Sequence, residues 1–126
     1  MDFNKLTVKG QEAVGATQDL ARRLGNPEIY PEHLLLALLE QDLPQTLAQR
    51  AGTSAEALRS KAQEELTRRP SMQGAQNLQP RISAQLDKVL DKAVDEARKL
   101  EDDYVSTEHL LLALDVIPSD ALLEAL

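Results

Sequence analysis

Glu32-His33-Leu34-Leu35-Leu36-Ala37-Leu38 recurs, residue for residue, as Glu108-His109-Leu110-Leu111-Leu112-Ala113-Leu114. The offset is 76 positions. Without any gap, the same offset pairs Asp19 with Asp95, Ala21 with Ala97, Arg22 with Arg98 and Leu24 with Leu100. Together these make 11 identities in the 33 positions from 6 to 38, where unrelated stretches of ordinary composition give roughly two or three. Self-similarity at a fixed spacing marks a duplicated structural unit. Each copy of the motif is apolar on all sides after its histidine, which predicts a short helix buried in the core rather than a binding stripe.

Working outward, Leu86, Val89, Leu90, Ala93, Val94, Ala97 and Leu100 follow Ile82 in steps of three and four residues. That spacing places them on one face of a helix. The first copy has a thinner stripe of Leu6, Ala13, Val14, Thr17, Leu20, Ala21 and Leu24, interrupted by Gly10 and Gly15. Each glycine costs about 1 kcal/mol relative to Ala in a helix interior, so these two mark close packing or a surface that backbone approaches. A long helix is predicted over residues 7–24, stopped by Gly25-Asn26-Pro27. Tyr30-Pro31-Glu32 opens a second helix, ending near Gln41. Pro44 starts a third, closed by Gly52. Thr53-Ser54-Ala55-Glu56 matches a capping box and predicts a fourth helix to about Arg69. Residues 70–80 lack periodicity and form the linker. The second copy restarts near Arg81, breaks at Glu101-Asp102-Asp103, caps its short helix at Ser106 or Thr107 and adds a helix from about Asp120.

The expectation is therefore an all-α domain of 126 residues: two pseudo-twofold-related repeats of about four helices each, repeat one at 1–69 and repeat two at 81–126. No segment shows strand alternation. The counterpart of the 53–69 helix would begin at position 129, past Leu126, so the last helix of the second repeat is expected to be missing and the chain to be a piece of a longer polypeptide.

Composition narrows function by exclusion. A net charge of −7 argues against nucleic acid, which requires clustered positive charge. Phe3, Tyr30 and Tyr104 are the only aromatic residues, too few for base-stacking or sugar-binding platforms. With no cysteine there is no thiolate nucleophile or Cys-type zinc site, which fits a reducing cytoplasm. No apolar run approaches a membrane span, and Met1-Asp2-Phe3-Asn4-Lys5 lacks the pattern of a signal peptide. An interaction module is the reading left.

Three near-motifs fail on inspection. Gly10 to Thr17 almost spells a phosphate loop, but Ala16 stands where the lysine must be, and the stretch lies in a predicted helix. Glu32-His33 and Glu108-His109 supply one histidine per helix, whereas the zinc-protease pattern needs two, four residues apart. The histidines are therefore expected to be partly buried, capping or packing their short helices. Glu101, Asp102 and Asp103 in a turn read as solvated acids rather than a general acid–base pair. No cofactor loop or nucleophile–base set survives, so no catalysis is expected of this chain.

The repeat, together with Leu6-Thr7 through Gln11 and Ala13, Gly25-Asn26-Pro27-Glu28-Ile29, Arg69-Pro70-Ser71-Met72-Gln73-Gly74 and Tyr104-Val105-Ser106-Thr107-Glu108-His109, resembles the Clp amino-terminal repeat domain. The Arg-Pro-x-x-x-Gly linker, with Gln79-Pro80 beyond it, is more similar to ClpB-type disaggregases than to their relatives. ClpC-type domains usually carry Gly before Thr-Glu-His in both copies, where this chain has Tyr30-Pro31 and Ser106-Thr107. The resemblance implies a helical module that engages unfolded or aggregated protein clients for an AAA+ ring, assembled as a hexamer and carried elsewhere in the polypeptide, with no nucleic acid or membrane partner and a monomeric isolated domain. It implies ATP and magnesium only in the ATPase modules of that parent chain, and no cofactor here. Thr7, Asp102 and Glu108 match positions implicated in substrate handling, beside an apolar groove of weak affinity. Glu32 and Glu108 match the glutamates by which ClpC-type domains recognise phosphorylated arginine. The alternative implied is thus a ClpA- or ClpC-type domain recruiting adaptors or phosphoarginine-tagged substrates for proteolysis.

Overall fold

Leu6 pairs with Val105, and Ile29 with Ile82, both as parallel backbone contacts. Adding 76 to 6 gives 82, and to 29 gives 105, so exchanging the copies turns one pairing into the other. The hydrogen bonds follow the same rule: Thr7 N–H donates to the Val105 carbonyl at 2.9 Å, and Ser83 N–H to the Ile29 carbonyl at 3.0 Å. The segment ahead of each long helix is thereby tied to the segment ahead of the other copy's short helix. This exchange of partners is the contact signature of a pseudo-twofold relation.

The computed structural model describes residues 1–72 and 78–126. Copy one consists of α1 (Val8–Arg23), the two-residue strand β1 (Glu28–Ile29), α2 (Pro31–Leu38), α3 (Asp42–Arg50) and α4 (Ala55–Thr67). Copy two has β2 (Arg81–Ile82), α5 (Ala84–Lys99), α6 (Thr107–Leu114) and α7 (Ser119–Ala125), with no counterpart of α4 among the described residues. The fold is all-α, as expected. The strands are a correction in detail: two residues are too few to leave an alternating pattern in sequence.

The long helices start and stop by the same chemistry. Thr7 Oγ1 accepts the Gly10 N–H at 3.1 Å, and Ser83 Oγ accepts the Leu86 N–H at the same distance, satisfying donors that a helix start leaves unpaired. Both helices end in a Schellman cap. In copy one, Gly25 N–H bonds to the Arg22 carbonyl and Asn26 N–H to that of Ala21; in copy two, Glu101 bonds to Arg98 and Asp102 to Ala97. Gly25 takes the left-handed φ of 74° at no steric cost, whereas Glu101 adopts 58° with a side chain attached.

The two leucine-rich helices, α2 and α6, pack against each other, with α1 and α5 alongside and α4 over α2. Leu34, Leu35, Leu38, Leu110, Leu111 and Leu112 are all buried, each contributing roughly 1.5–3 kcal/mol of burial free energy. The stripe is less complete at its ends. Ile82 is 50% exposed because it lies in β2, ahead of the Ser83 cap, and Leu24 and Leu100 are exposed at the helix C-caps. Four boundaries also move. α2 stops at Leu38 rather than Gln41. Asp42, not Pro44, begins α3. Ser54 rather than a Thr53 box caps α4, its Oγ accepting the Ala57 N–H at 3.0 Å, and α4 ends at Thr67 rather than Arg69.

Of the expected linker at 70–80, residues 73–77 lie outside the described residues. Both flanks are tied to the end of α1. The Pro70 carbonyl accepts from Asn26 Nδ2, the Leu78 carbonyl from Arg22 Nε and the Pro80 carbonyl from Gln18 Nε2, all within 3.1 Å.

Candidate functional site

The Schellman caps deliver Asn26 and Asp102 to equivalent places, each seven residues ahead of a histidine. His33 Nδ1 accepts the Tyr30 backbone N–H at 2.8 Å, which leaves the proton on Nε2, 2.9 Å from Asn26 Oδ1. The Asn26 amide is itself oriented by donation to the Pro70 carbonyl. In copy two, His109 Nδ1 accepts the Ser106 N–H at 2.8 Å and Nε2 meets Asp102 Oδ2 at 2.8 Å. Each imidazole thus locks the start of a short helix to the end of a long one. The rings are more deeply buried than expected, at 0% and 2% exposure, but their role is the predicted capping. Burial pushes the His33 pKa down to about 4, with Glu32 opposing the shift and Arg69 adding to it.

Ser106 Oγ lies 3.0 Å from His109 Nδ1, so Ser106, His109 and Asp102 superficially form a hydrolase set. The Nδ1 lone pair is directed at a backbone N–H of its own helix start, and the ring is enclosed. A nucleophile needs a base free to take its proton, so this set acts as a helix cap. Among the described residues no group of three or more His, Cys, Asp or Glu could hold a metal ion, and no helix is long and apolar enough to cross a membrane.

The four residues singled out by resemblance fall in three places. Thr7 and Glu108 line one groove of about 720 Å³, with Ala13, Ala16, Ala37 and Ser106 among its walls. Asp102, besides holding His109, lines a separate hollow of about 470 Å³ with Lys5, Asp95 and Arg98. Glu32 pairs with Arg69, Oε1 to Nη2 at 3.1 Å, and the guanidinium sits 4.2 Å above the Tyr30 ring. No local pattern signals this last cluster, because 37 positions separate Glu32 from Arg69.

The profile of the Clp repeat (R) N-terminal domain matches residues 5–122. The chain belongs to this family. The Clp domain described here is 39% identical to the chaperone protein ClpB of Nitratidesulfovibrio vulgaris over 127 aligned residues, covering 98% of this chain and 15% of that protein. It thus spans about a seventh of the length of such relatives. The Hsp104 N-terminal domain from Candida albicans superimposes with a TM-score of 0.76 at 28% identity, covering 95% of this chain and 81% of that one. A complex of the ClpV N-domain with VipB peptide shares the fold, with a TM-score of 0.74 at 21% identity over 98% and 78% of the two chains. ClpB proteins are thus among its near relatives, as the linker residues implied.

Proposed function

We propose that this domain receives segments of unfolded or aggregated protein in the groove at Thr7 and Glu108 and passes them to an AAA+ ring carried by the same polypeptide, in the manner of a ClpB-type disaggregase. The observation that carries this reading is the groove itself. It is open and lined by Ala13, Ala16, Ala37 and the exposed Leu43 among polar side chains, the anatomy of a surface that holds extended chain. It also joins two of the positions that the family resemblance marks. Any ATP hydrolysis belongs to the remainder of such a polypeptide, and a reducing cytoplasm suits a chain without cysteine. The alternative, phosphoarginine recognition by Glu32 and Glu108, is weakened by Arg69, which already occupies Glu32.

The test is fluorescence anisotropy with a permanently unfolded client such as casein, comparing the wild-type chain with Ala16→Trp, which fills the groove from an exposed position on α1. Weak binding that is lost in the variant supports the reading. Casein binding unaffected by Ala16→Trp, with the helical circular dichroism of both proteins intact, defeats it.

A further inference from the structure

We infer that Asp102 is a positioning residue: it serves client binding without touching the client, by setting through His109 the start of α6 that walls the groove; the inference rests on the client-receiving reading above. The family resemblance marks Asp102 together with Thr7 and Glu108, yet of these three only Thr7 and Glu108 line the groove. Asp102 lies in the other hollow, with Lys5, Arg98 and Asp103. A residue outside the groove needs a physical link to it, and the structure contains one.

Copy two contributes Ser106, Thr107 and Glu108 to the groove. They are the N-cap and the first two residues of α6, and His109 is the next. The Ser106 N–H donates to His109 Nδ1 at 2.8 Å. Two hydrogens cannot share that line, so Nδ1 carries a lone pair and the proton sits on Nε2. Asp102 Oδ2 accepts from Nε2 at 2.8 Å. An acceptor on one ring nitrogen fixes both the tautomer and the orientation of the ring, as carboxylates do for metal-bound histidines. Without it, the enclosed Nε2–H is left unpaired and the proton is driven to Nδ1. There it opposes the Ser106 N–H and pushes the start of α6 out of place.

Copy one shows that this relay needs an acceptor rather than a charge. Asn26 Oδ1 accepts from His33 Nε2 at 2.9 Å, and His33 Nδ1 accepts the Tyr30 N–H at 2.8 Å. A neutral amide oxygen thus supports the same kind of helix start. The start of α2 has a further hold in the Arg69–Glu32 pair. Among the described residues no ion pair reaches Glu108, so the start of α6 depends more heavily on its imidazole.

The experiment compares the casein affinity, by anisotropy, of wild type, Asp102→Asn, Asp102→Leu and Asp103→Asn, with the His109 tautomer read by NMR of its ring nitrogens. Asn keeps an acceptor and removes the charge; Leu has a similar branched shape and no acceptor. Asp102→Leu is expected to weaken binding about tenfold and to lose the Nε2–H signature, while Asp102→Asn stays within about twofold of wild type with that signature kept. Asp103→Asn, in the same hollow but without a bond to His109, should bind as wild type does. Circular dichroism checks that each variant folds, and if Asp102→Leu does not, Asp102→Asn alone decides. Casein binding weakened tenfold by Asp102→Asn or by Asp103→Asn means that charge in the hollow meets the client. That result overturns the inference and leaves the receiver reading standing, as does a folded Asp102→Leu chain that binds like wild type. Failure of the wild-type chain to bind casein defeats both.

Discussion

Asn26 Oδ1 accepts the Nε2–H of His33 at 2.9 Å, in the position where copy two places a carboxylate. A neutral acceptor gives an imidazolium little help, and the ring is fully buried, so His33 stays uncharged down to a pH of about 4. The unfolded imidazole takes its proton near pH 6.5. Between those values the unfolded state binds more protons and acid favours it.

Stability from His33 is therefore complete above about pH 6.5 and is lost as the pH falls towards 4. The loss between pH 7 and 4.5 is on the order of 2 kcal/mol. Urea melts at the two pH values measure it. Asn26→Asp, which offers the ring a carboxylate, should raise the His33 pKa and shrink the difference. A pH dependence unchanged in that variant would count against the assignment.

Leu111 is completely buried and Leu35 nearly so. Leu35→Asp or Leu111→Asp puts an unpaired carboxylate between α2 and α6 at a cost of several kcal/mol, and loss of the cooperative thermal transition is expected. Thr7→Ala removes only the Gly10 cap bond, costing about 1 kcal/mol, and should leave the circular dichroism spectrum intact. An Asp variant melting within a degree or two of wild type would show that these leucines are not core.

The two glycines of α1 should respond oppositely to substitution. A Cβ at Gly15 meets nothing within 4 Å, so Gly15→Ala should stabilise the chain by up to about 1 kcal/mol. A Cβ at Gly10 would lie 3.1 Å from the Val105 carbonyl and 3.3 Å from both Leu6 Cδ2 and Thr7 Oγ1. Gly10→Val should therefore lower the melting temperature by pushing α1 off the segment that leads into α6. Of the two roles left open for these glycines, close packing belongs to Gly10 alone.

Glu101 adopts φ of 58° where copy one uses Gly25. Glu101→Gly relieves a left-handed conformation that costs a side-chain-bearing residue roughly 1–2 kcal/mol, offset in part by the greater chain entropy of glycine. A net gain of about 0.5–1 kcal/mol is expected in denaturant midpoints. A loss of stability would mean that the Glu101 side chain contributes more than its backbone strain costs.

The repeat, the long helices and the buried short helices were legible because each depends on local pattern: a seven-residue identity, three- and four-residue spacing, and Gly or Ser at the caps. What escaped depends on contacts between residues distant in sequence or on single polar atoms. Asn26 reads as a helix stop and becomes a histidine partner. Asp102 reads as a solvated acid of a turn and becomes the partner of His109. Ile82 extends an apolar stripe on paper, yet its backbone is engaged with Ile29 and its side chain is half exposed. Of the four resemblance residues only Thr7 and Glu108 share a groove; Asp102 lines another hollow, and Glu32 is paired with Arg69, a partner 37 positions away that no spacing rule anticipates.

The exchanged pairing of Leu6 with Val105 and of Ile29 with Ile82 has a mechanical consequence. Neither half can be peeled away alone, because withdrawing one strips the other of its neighbour on both sides of the seam. Tension applied at a single terminus is therefore shared by the pair, and the domain yields as one cooperative unit rather than repeat by repeat.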